Sequence, residues 1–79
     1  MPQTNLGDSL VGFTSAFEYD ANNNPIYIGT AAPGSAKSAA AWQIRRLTYS
    51  GTNVTDIQYA NGTLDFTASW NNRASLSYL

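Results

Sequence analysis

The first candidates for chemistry are two carboxylates, Glu18 and Asp20, two positions apart in the sequence. On a strand they share one face at about 7 Å, a separation at which glycosidases place an acid and a base. Strand ends beside turns commonly carry two solvated carboxylates, and we favour that interpretation. The chain has no histidine and no cysteine, so the usual general base and the thiol nucleophile are both missing. We predict that the protein is not an enzyme and uses no cofactor.

Oxygen-bearing side chains alternate at Asp20, Asn22 and Asn24, as they do at the start of a calcium-binding loop. The pattern then fails, because Pro25 and Ala31 occupy the positions at which such a loop needs glycine and glutamate. An asparagine-rich hairpin turn is the simpler interpretation. We therefore predict no metal site.

Arginines and large aromatic rings supply the candidates for binding a partner. They could hold an anionic ligand or stack on sugar rings. More often one such arginine stacks on a tryptophan and another pairs with Asp56 or Asp65, while both tryptophans are needed in so small a core. The candidates for contact with a partner are Trp42, Arg46, Trp70, Arg73, Leu76 and Tyr78.

Charge is scarce in this chain. Charged residues make up 11% of it and the net charge is -1, against about a quarter charged in an average protein. Without a basic footprint for phosphates, we expect no nucleic-acid partner. No apolar run reaches the roughly 18 residues that cross a bilayer. We therefore expect no membrane partner, and synthesis in the cytosol.

The pattern of apolar residues predicts an all-β fold. We expect a small antiparallel sheet or sandwich of two to three hairpins, with room for one short helical turn. Residues 1–10 are polar and lack periodicity, which predicts an N-terminal arm before a single small β domain over residues 11–79. Odd positions in residues 11–19 are mostly apolar, which is typical of a half-buried strand. After the asparagine-rich turn, residues 26–28 complete a hairpin.

A second hairpin follows a loop of small residues. Residues 29–40 are predicted to form that loop, and a short helix over residues 35–41 is an alternative. The turn at residues 51–53 and the return strand over residues 54–59 form the second hairpin. Asn61-Gly62 then predicts a further tight turn, because this pair tolerates positive φ at both positions.

The predicted strand before the turn at residues 51–53 carries large residues at both even-numbered and odd-numbered positions. Trp42 and Ile44 share one parity, whereas Leu47 and Tyr49 share the other. One extra residue would bring all four to one face. We therefore predict a β-bulge near residues 45–46.

The last part of the chain is ambiguous. Residues 64–70 alternate as a strand does, but Phe66 and Trp70 also lie one helical turn apart, and either interpretation buries both rings. Alternation over residues 74–78 predicts a closing strand. Its backbone must pair either with this chain's own sheet or with that of a neighbouring subunit.

Specific residues spread over residues 17–79 together form a sequence motif. Its members are Tyr27 to Gly29, Pro33-Gly34, Trp42, Ile44, Arg46, Leu47, Tyr49, Asn61-Gly62, Phe66, Trp70, Asn72, Arg73 to Leu76 and Tyr78. In these positions the chain resembles small virion-associated structural proteins of tailed bacteriophages. It departs from them at the turn of residues 60–62, which lacks an acidic residue, and at residues 68–69. The resemblance implies a structural part of a particle and supplies no catalytic residues.

The resemblance leads us to expect a structural component of a tailed bacteriophage virion, made in the host cytoplasm. A tail part, in the baseplate or at fibre attachment, is our first expectation. The alternatives are a capsid decoration (cement) protein and a carbohydrate module that binds a host receptor. Its partners would be other virion structural proteins and copies of itself, joined as a homo-oligomer through strand edges and the aromatic C-terminal segment. A compact chain whose two ends touch no other subunit and whose two indoles are both buried would remove the physical basis of this assembly.

Overall fold

A computed structural model of the protein describes residues 12–79. The predicted arm, residues 1–10, lies outside the described residues, as does the first residue of the predicted domain. Within the described part the secondary structure is almost entirely β, as predicted. The elements are β1 Thr14–Tyr19, β2 Pro25–Ala31, β3 Ala40–Ser50, β4 Asn53–Tyr59, β5 Ala68–Ser69 and a 3-10 helix Trp70–Ser75.

The sheet is an antiparallel meander in the order β1-β2-β3-β4. Strand β3 is its hub. Residues 43–46 of β3 pair with β2, residues 45–50 pair with β4, and Ala40 and Trp42 pair with the short β5. Because β5 leads directly into the 3-10 helix, β3 connects both hairpins to the C-terminal segment.

Both predicted hairpins are confirmed, and their turns have local causes. In the first turn the Asp20 carboxylate accepts hydrogen bonds from the backbone N–H groups of Asn22, at 2.8 Å, and Asn24, at 3.0 Å. Asn23 takes a φ of 65°, a left-handed conformation that asparagine tolerates. Gly51 takes a φ of 63° in the second turn. The turn chemistry therefore sets where each hairpin reverses.

The predicted bulge at residues 45–46 is wrong. Strand β3 remains in register there, and the register with β4 shifts between Thr48 and Tyr49 instead. Trp42 consequently faces one side of the sheet and Leu47 the other. No bulge is needed at the predicted place because both faces of β3 carry apolar residues.

The alternative of a helix over residues 35–41 is wrong as well. The predicted loop over residues 29–40 is shorter than expected, because β2 extends to Ala31 and β3 begins at Ala40. Residues 32–39 form the loop, with turn hydrogen bonds from Ser35 N–H to the Ala32 carbonyl at 3.1 Å and from Ala39 N–H to the Ala36 carbonyl at 3.0 Å. The loop also receives the Trp42 indole N–H, which donates to the Ala36 carbonyl at 3.0 Å. This bond gives the buried indole its polar partner.

The C-terminal segment differs from the predicted closing strand. Only residues 68–69 form a strand, and the chain continues as the 3-10 helix. Residues 74–78 contribute a single bridge, between Ala60 and Tyr78. The Asn61-Gly62 turn is as predicted, with φ of 57° and 66°. It comes directly after Ala60, the first residue of this bridge.

The core lies on one side of the sheet. Trp42 and Ile44 of β3 are 2% and 1% exposed, and Trp70 and Tyr78 of the C-terminal segment are 5% and 6% exposed. The two indole rings lie 6.1 Å apart. Gly29 of β2 lies beneath them, where a Cβ atom would stand 2.6 Å from a ring carbon of Trp70. This chain's own sheet therefore holds the C-terminal segment.

Candidate functional site

The six predicted contact residues come together on the side of the sheet that bears Trp42 and Trp70, which we call the core face. Trp42, Trp70 and Tyr78 are buried there, and Leu76 packs partly buried against them. The Arg46 guanidinium lies 5.0 Å from the centre of the Tyr78 ring. In the isolated chain these rings form the core. Both indoles are buried, which meets that part of the condition against assembly, and the C-terminal aromatic segment is not available as an assembly surface.

Arg73 holds the C-terminal segment to the first hairpin. Its Nε donates to Glu18 Oε1 at 2.7 Å, and its Nη1 donates to the Trp70 carbonyl at 3.1 Å. Its guanidinium also lies 4.5 Å from the centre of the Trp70 ring. The predicted stacking of an arginine on a tryptophan is confirmed. The predicted pairing of another arginine with Asp56 or Asp65 is wrong, because Arg45 donates to Thr30 Oγ1 and Arg46 to Gln58 Oε1.

The phenol of Tyr78 is buried, and its pKa is displaced from its usual value. Burial raises the pKa of Tyr78 to about 12, and the neighbouring Tyr27 adds to this effect, while Arg46 and Arg73 oppose it. The hydroxyl donates to the Arg73 carbonyl at 2.8 Å. A neutral, hydrogen-bonded phenol of this kind is a structural group and a poor acid or base near neutral pH.

The two carboxylates that could have formed a catalytic pair are both engaged in local structure. Glu18 pairs with Arg73, and Asp20 caps its own turn. Within residues 12–79 no group of three or more acidic side chains could hold a metal ion. No helix in the same part of the chain is long and apolar enough to cross a membrane.

The opposite side of the sheet carries residues that the sequence did not single out. Cross-strand pairing aligns Phe17 with Ile28, Ile28 with Arg45, and Arg45 with Tyr59 in a single row. Residues paired across antiparallel strands point to the same side of a sheet. We call this side the open face, formed by Phe13, Phe17, Tyr19, Ile28, Arg45, Leu47, Ile57, Tyr59, Leu64, Phe66 and Leu79.

The rim of the open face is built by the segments beside the sheet. Phe66 stacks on Phe13 with ring centres 5.6 Å apart, and Gln43 Nε2 donates to the Leu64 carbonyl at 2.8 Å. Leu79 and Tyr59 exchange two backbone hydrogen bonds, at 3.1 and 3.2 Å. Such an exchange places the two side chains on the same side.

Large apolar side chains on the open face remain in contact with solvent. The exposed fractions are 61% for Phe13, 50% for Phe17, 54% for Tyr19, 55% for Ile57, 64% for Leu64, 40% for Phe66 and 74% for Leu79. Residues 64–66 reach this face at Gln43 and Phe13 and leave the side chains named above exposed. The polar row of Ser15, Thr30 and Gln43 lies on the same face, between Phe13 and the row of Phe17. Exposed apolar side chains in this number are typical of an interaction site.

Arg45 is the one charged residue in the cross-strand rows of this face within the described residues. Its Nη2 donates to Thr30 Oγ1 at 3.1 Å, while its Nε is buried and has no hydrogen-bond partner in the described part of the chain. Arg46 Nε, on the core face, is buried and unpaired in the same way, so this donor does not distinguish the open face.

Comparison with known proteins finds no match. Neither the protein-family models, nor the curated proteins, nor the solved structures include one that matches this chain.

The buried side of β1 is not the side that carries its large apolar residues. The apolar odd positions of residues 11–19 predict a half-buried strand with those positions on its apolar face. Ala16, an even-numbered residue, is the one buried at 7%, while Phe17 is 50% exposed. The available signal was the presence of large apolar residues on both parities of β3, which indicates a sheet with two apolar faces.

Proposed function

We propose that this protein is a non-enzymatic structural component of a tailed bacteriophage particle and that it acts by assembling with other subunits. The observation that carries the proposal is the open face, an apolar surface on a chain whose core occupies only the other side of its sheet. On a freely diffusing protein a surface of this type promotes aggregation, whereas in an assembly it is buried against a neighbouring subunit.

The chemistry of the described residues supports a structural role over a catalytic one. Arg73 and Glu18 form an ion pair that fixes the C-terminal segment, and Tyr78 holds the same segment through its hydroxyl. These polar groups stabilise the fold and leave no activated nucleophile beside them. Low charge also suits close packing, since neighbouring copies would repel one another weakly.

The resemblance to small phage structural proteins supports the choice of particle. We place the protein in the tail, at the baseplate or the site of fibre attachment, and keep capsid decoration as the alternative location. Strand edges remain available for assembly: β1 pairs only with β2, so the outer side of β1 is open within the described residues. Strand addition at such an edge supplies backbone hydrogen bonds without charged groups.

The experiment is to purify particles of the phage that encodes this chain and to analyse them by mass spectrometry and electron cryo-microscopy. We expect the chain in the particles at many copies, with density in the tail. A host cytosolic protein quantified in the same sample controls for carry-over. Density on the capsid would favour the decoration role, and a chain present in the lysate but missing from purified particles would refute the proposal.

A carbohydrate-binding role is the second candidate, because the structure contains exposed aromatic pairs with acidic or amide residues nearby. Phe17 and Tyr19 stack with ring centres 6.2 Å apart beside Asp20. Each ring of such a pair covers one face of the other, which reduces the surface left for a sugar. A glycan array with the purified protein tests this role, and binding that is lost in Tyr19→Ala would support it.

A further inference from the structure

We propose that the open face packs against the open face of a second copy of this chain, forming a two-sheet sandwich with a two-fold axis between the sheets. This inference deepens the assembly part of the proposed function and rests on it. It is independent of which particle the protein belongs to.

The exposed apolar area is sufficient for such a contact. Aromatic side chains bury about 150 to 250 Å² each, so the exposed fractions of Phe13, Phe17, Tyr19 and Phe66 amount to roughly 400 Å². Adding the aliphatic residues brings the total to roughly 600 Å². A stable interface of standard size covers about 800 Å² on each partner, of which about 500 Å² is apolar. A partner that covers all of these side chains would bury an apolar area of the size found in a stable dimer.

The shape of the surface also favours a second sheet. Antiparallel sheets pack face to face about 10 Å apart, with strands within about 30° of each other, and the inner side chains interdigitate. Two cross-strand rows of apolar side chains project from the open face and could interdigitate with those of a second sheet. One row contains Phe17, Ile28 and Tyr59, and the other contains Leu47 and Ile57. The core face cannot serve in the same way because the C-terminal segment covers it.

A second copy matches this face in charge. A two-fold contact brings the same patch from each copy together, so an almost uncharged patch is complementary to itself. The Arg45 side chains of the two copies face each other only if Arg45 lies on the two-fold axis. Away from the axis, Arg45 faces aromatic rings of the partner, which attract a guanidinium. The net charge of -1 per chain adds little repulsion.

The test is sedimentation equilibrium of the full-length protein at micromolar concentrations. Ile57→Lys places a charge on the open face, at a residue that is 55% exposed. The matched control is Thr48→Lys, which places the same charge on an exposed β-branched residue of the same hairpin but on the opposite side of the sheet. Phe17→Ser, on the other hairpin, serves as a second variant should Ile57→Lys fail to fold by circular dichroism.

We expect a dimer whose dissociation constant rises at least tenfold in Ile57→Lys and in Phe17→Ser and changes less than twofold in Thr48→Lys. A protein that stays monomeric to several hundred micromolar would overturn the proposal and point to another cover, such as residues 1–11 or a different protein. A dimer that responds to Thr48→Lys and not to the open-face variants would overturn it too. Neither result bears on whether the chain is found in particles, so the two proposals fail separately.

Discussion

The position of Gly29 provides a sharp test of how the core is built. Replacing it by alanine adds a Cβ atom that would lie 2.6 Å from Cε3 and 2.8 Å from Cζ3 of Trp70, and 3.0 Å from Cε3 of Trp42. Favourable carbon contacts lie at about 3.5 to 4.0 Å. The Trp70 ring would therefore have to move by about 1 Å. It has little room to do so, because it is 5% exposed and Arg73 stacks on it.

The expected cost follows from two opposing terms. Extra atoms in a packed core destabilise by about 1 to 3 kcal/mol. Replacing glycine by alanine in a strand restores about 0.5 to 1 kcal/mol by restricting the unfolded chain. We expect Gly29→Ala to lower the free energy of unfolding by about 1 to 2 kcal/mol. In a domain of this size that corresponds to a fall in Tm of roughly 5 to 15 °C.

The assay is urea unfolding followed by tryptophan fluorescence and by circular dichroism. Trp70→Phe, alone and combined with Gly29→Ala, supplies the matched cycle, since the smaller ring gives the new methyl group space. The effect of Gly29→Ala should shrink to near zero or reverse in the Trp70→Phe background. An unchanged or increased stability of the single variant, or an equal effect in both backgrounds, would refute this account of the core.

Three further results are expected. The pKa of Tyr78 is higher in the folded state than its usual value of 10.0, so the stability contributed by its neutral form is complete below pH 10 and is lost as the pH rises towards about 12. Tyr78→Phe should remove that loss from an alkaline unfolding titration. An unchanged titration would contradict this role of Tyr78. Glu18→Gln should cost no more than about 1 kcal/mol, because the ion pair with Arg73 is partly exposed, and the loss should diminish at high salt. Asp20→Ala should cost about 1 kcal/mol, whereas Asp20→Asn, which keeps an acceptor for the same two N–H groups, should cost less in the same urea assay.

The local features of this fold could be predicted from the sequence because they depend on neighbouring residues. The first turn needs only the carboxylate of Asp20 and the left-handed conformation of Asn23, and the third needs only Asn61-Gly62. These features fixed the hairpins and the all-β class. They required no knowledge of what packs against the sheet.

The side on which the core lies could not be predicted in the same way. Alternation identifies two faces and does not say which face receives the C-terminal segment. That choice depends on fit: Gly29 leaves room for the indoles and its cross-strand partner Ala16 is buried, while larger residues occupy the other side. Small residues carry no hydrophobic signal, so the sequence pattern favoured the phenylalanines. The open face was missed for the same reason.

The ion pair between Arg73 and Glu18 also has a kinetic consequence. It joins residues 55 positions apart, whereas each hairpin pairs strands that follow one another in the chain. Distant contacts must close a long loop and therefore tend to form after local ones. The hairpins would then be assembled at the transition state and the closing segment would join afterwards. In that order of events, weakening the ion pair accelerates unfolding and leaves the folding rate nearly unchanged.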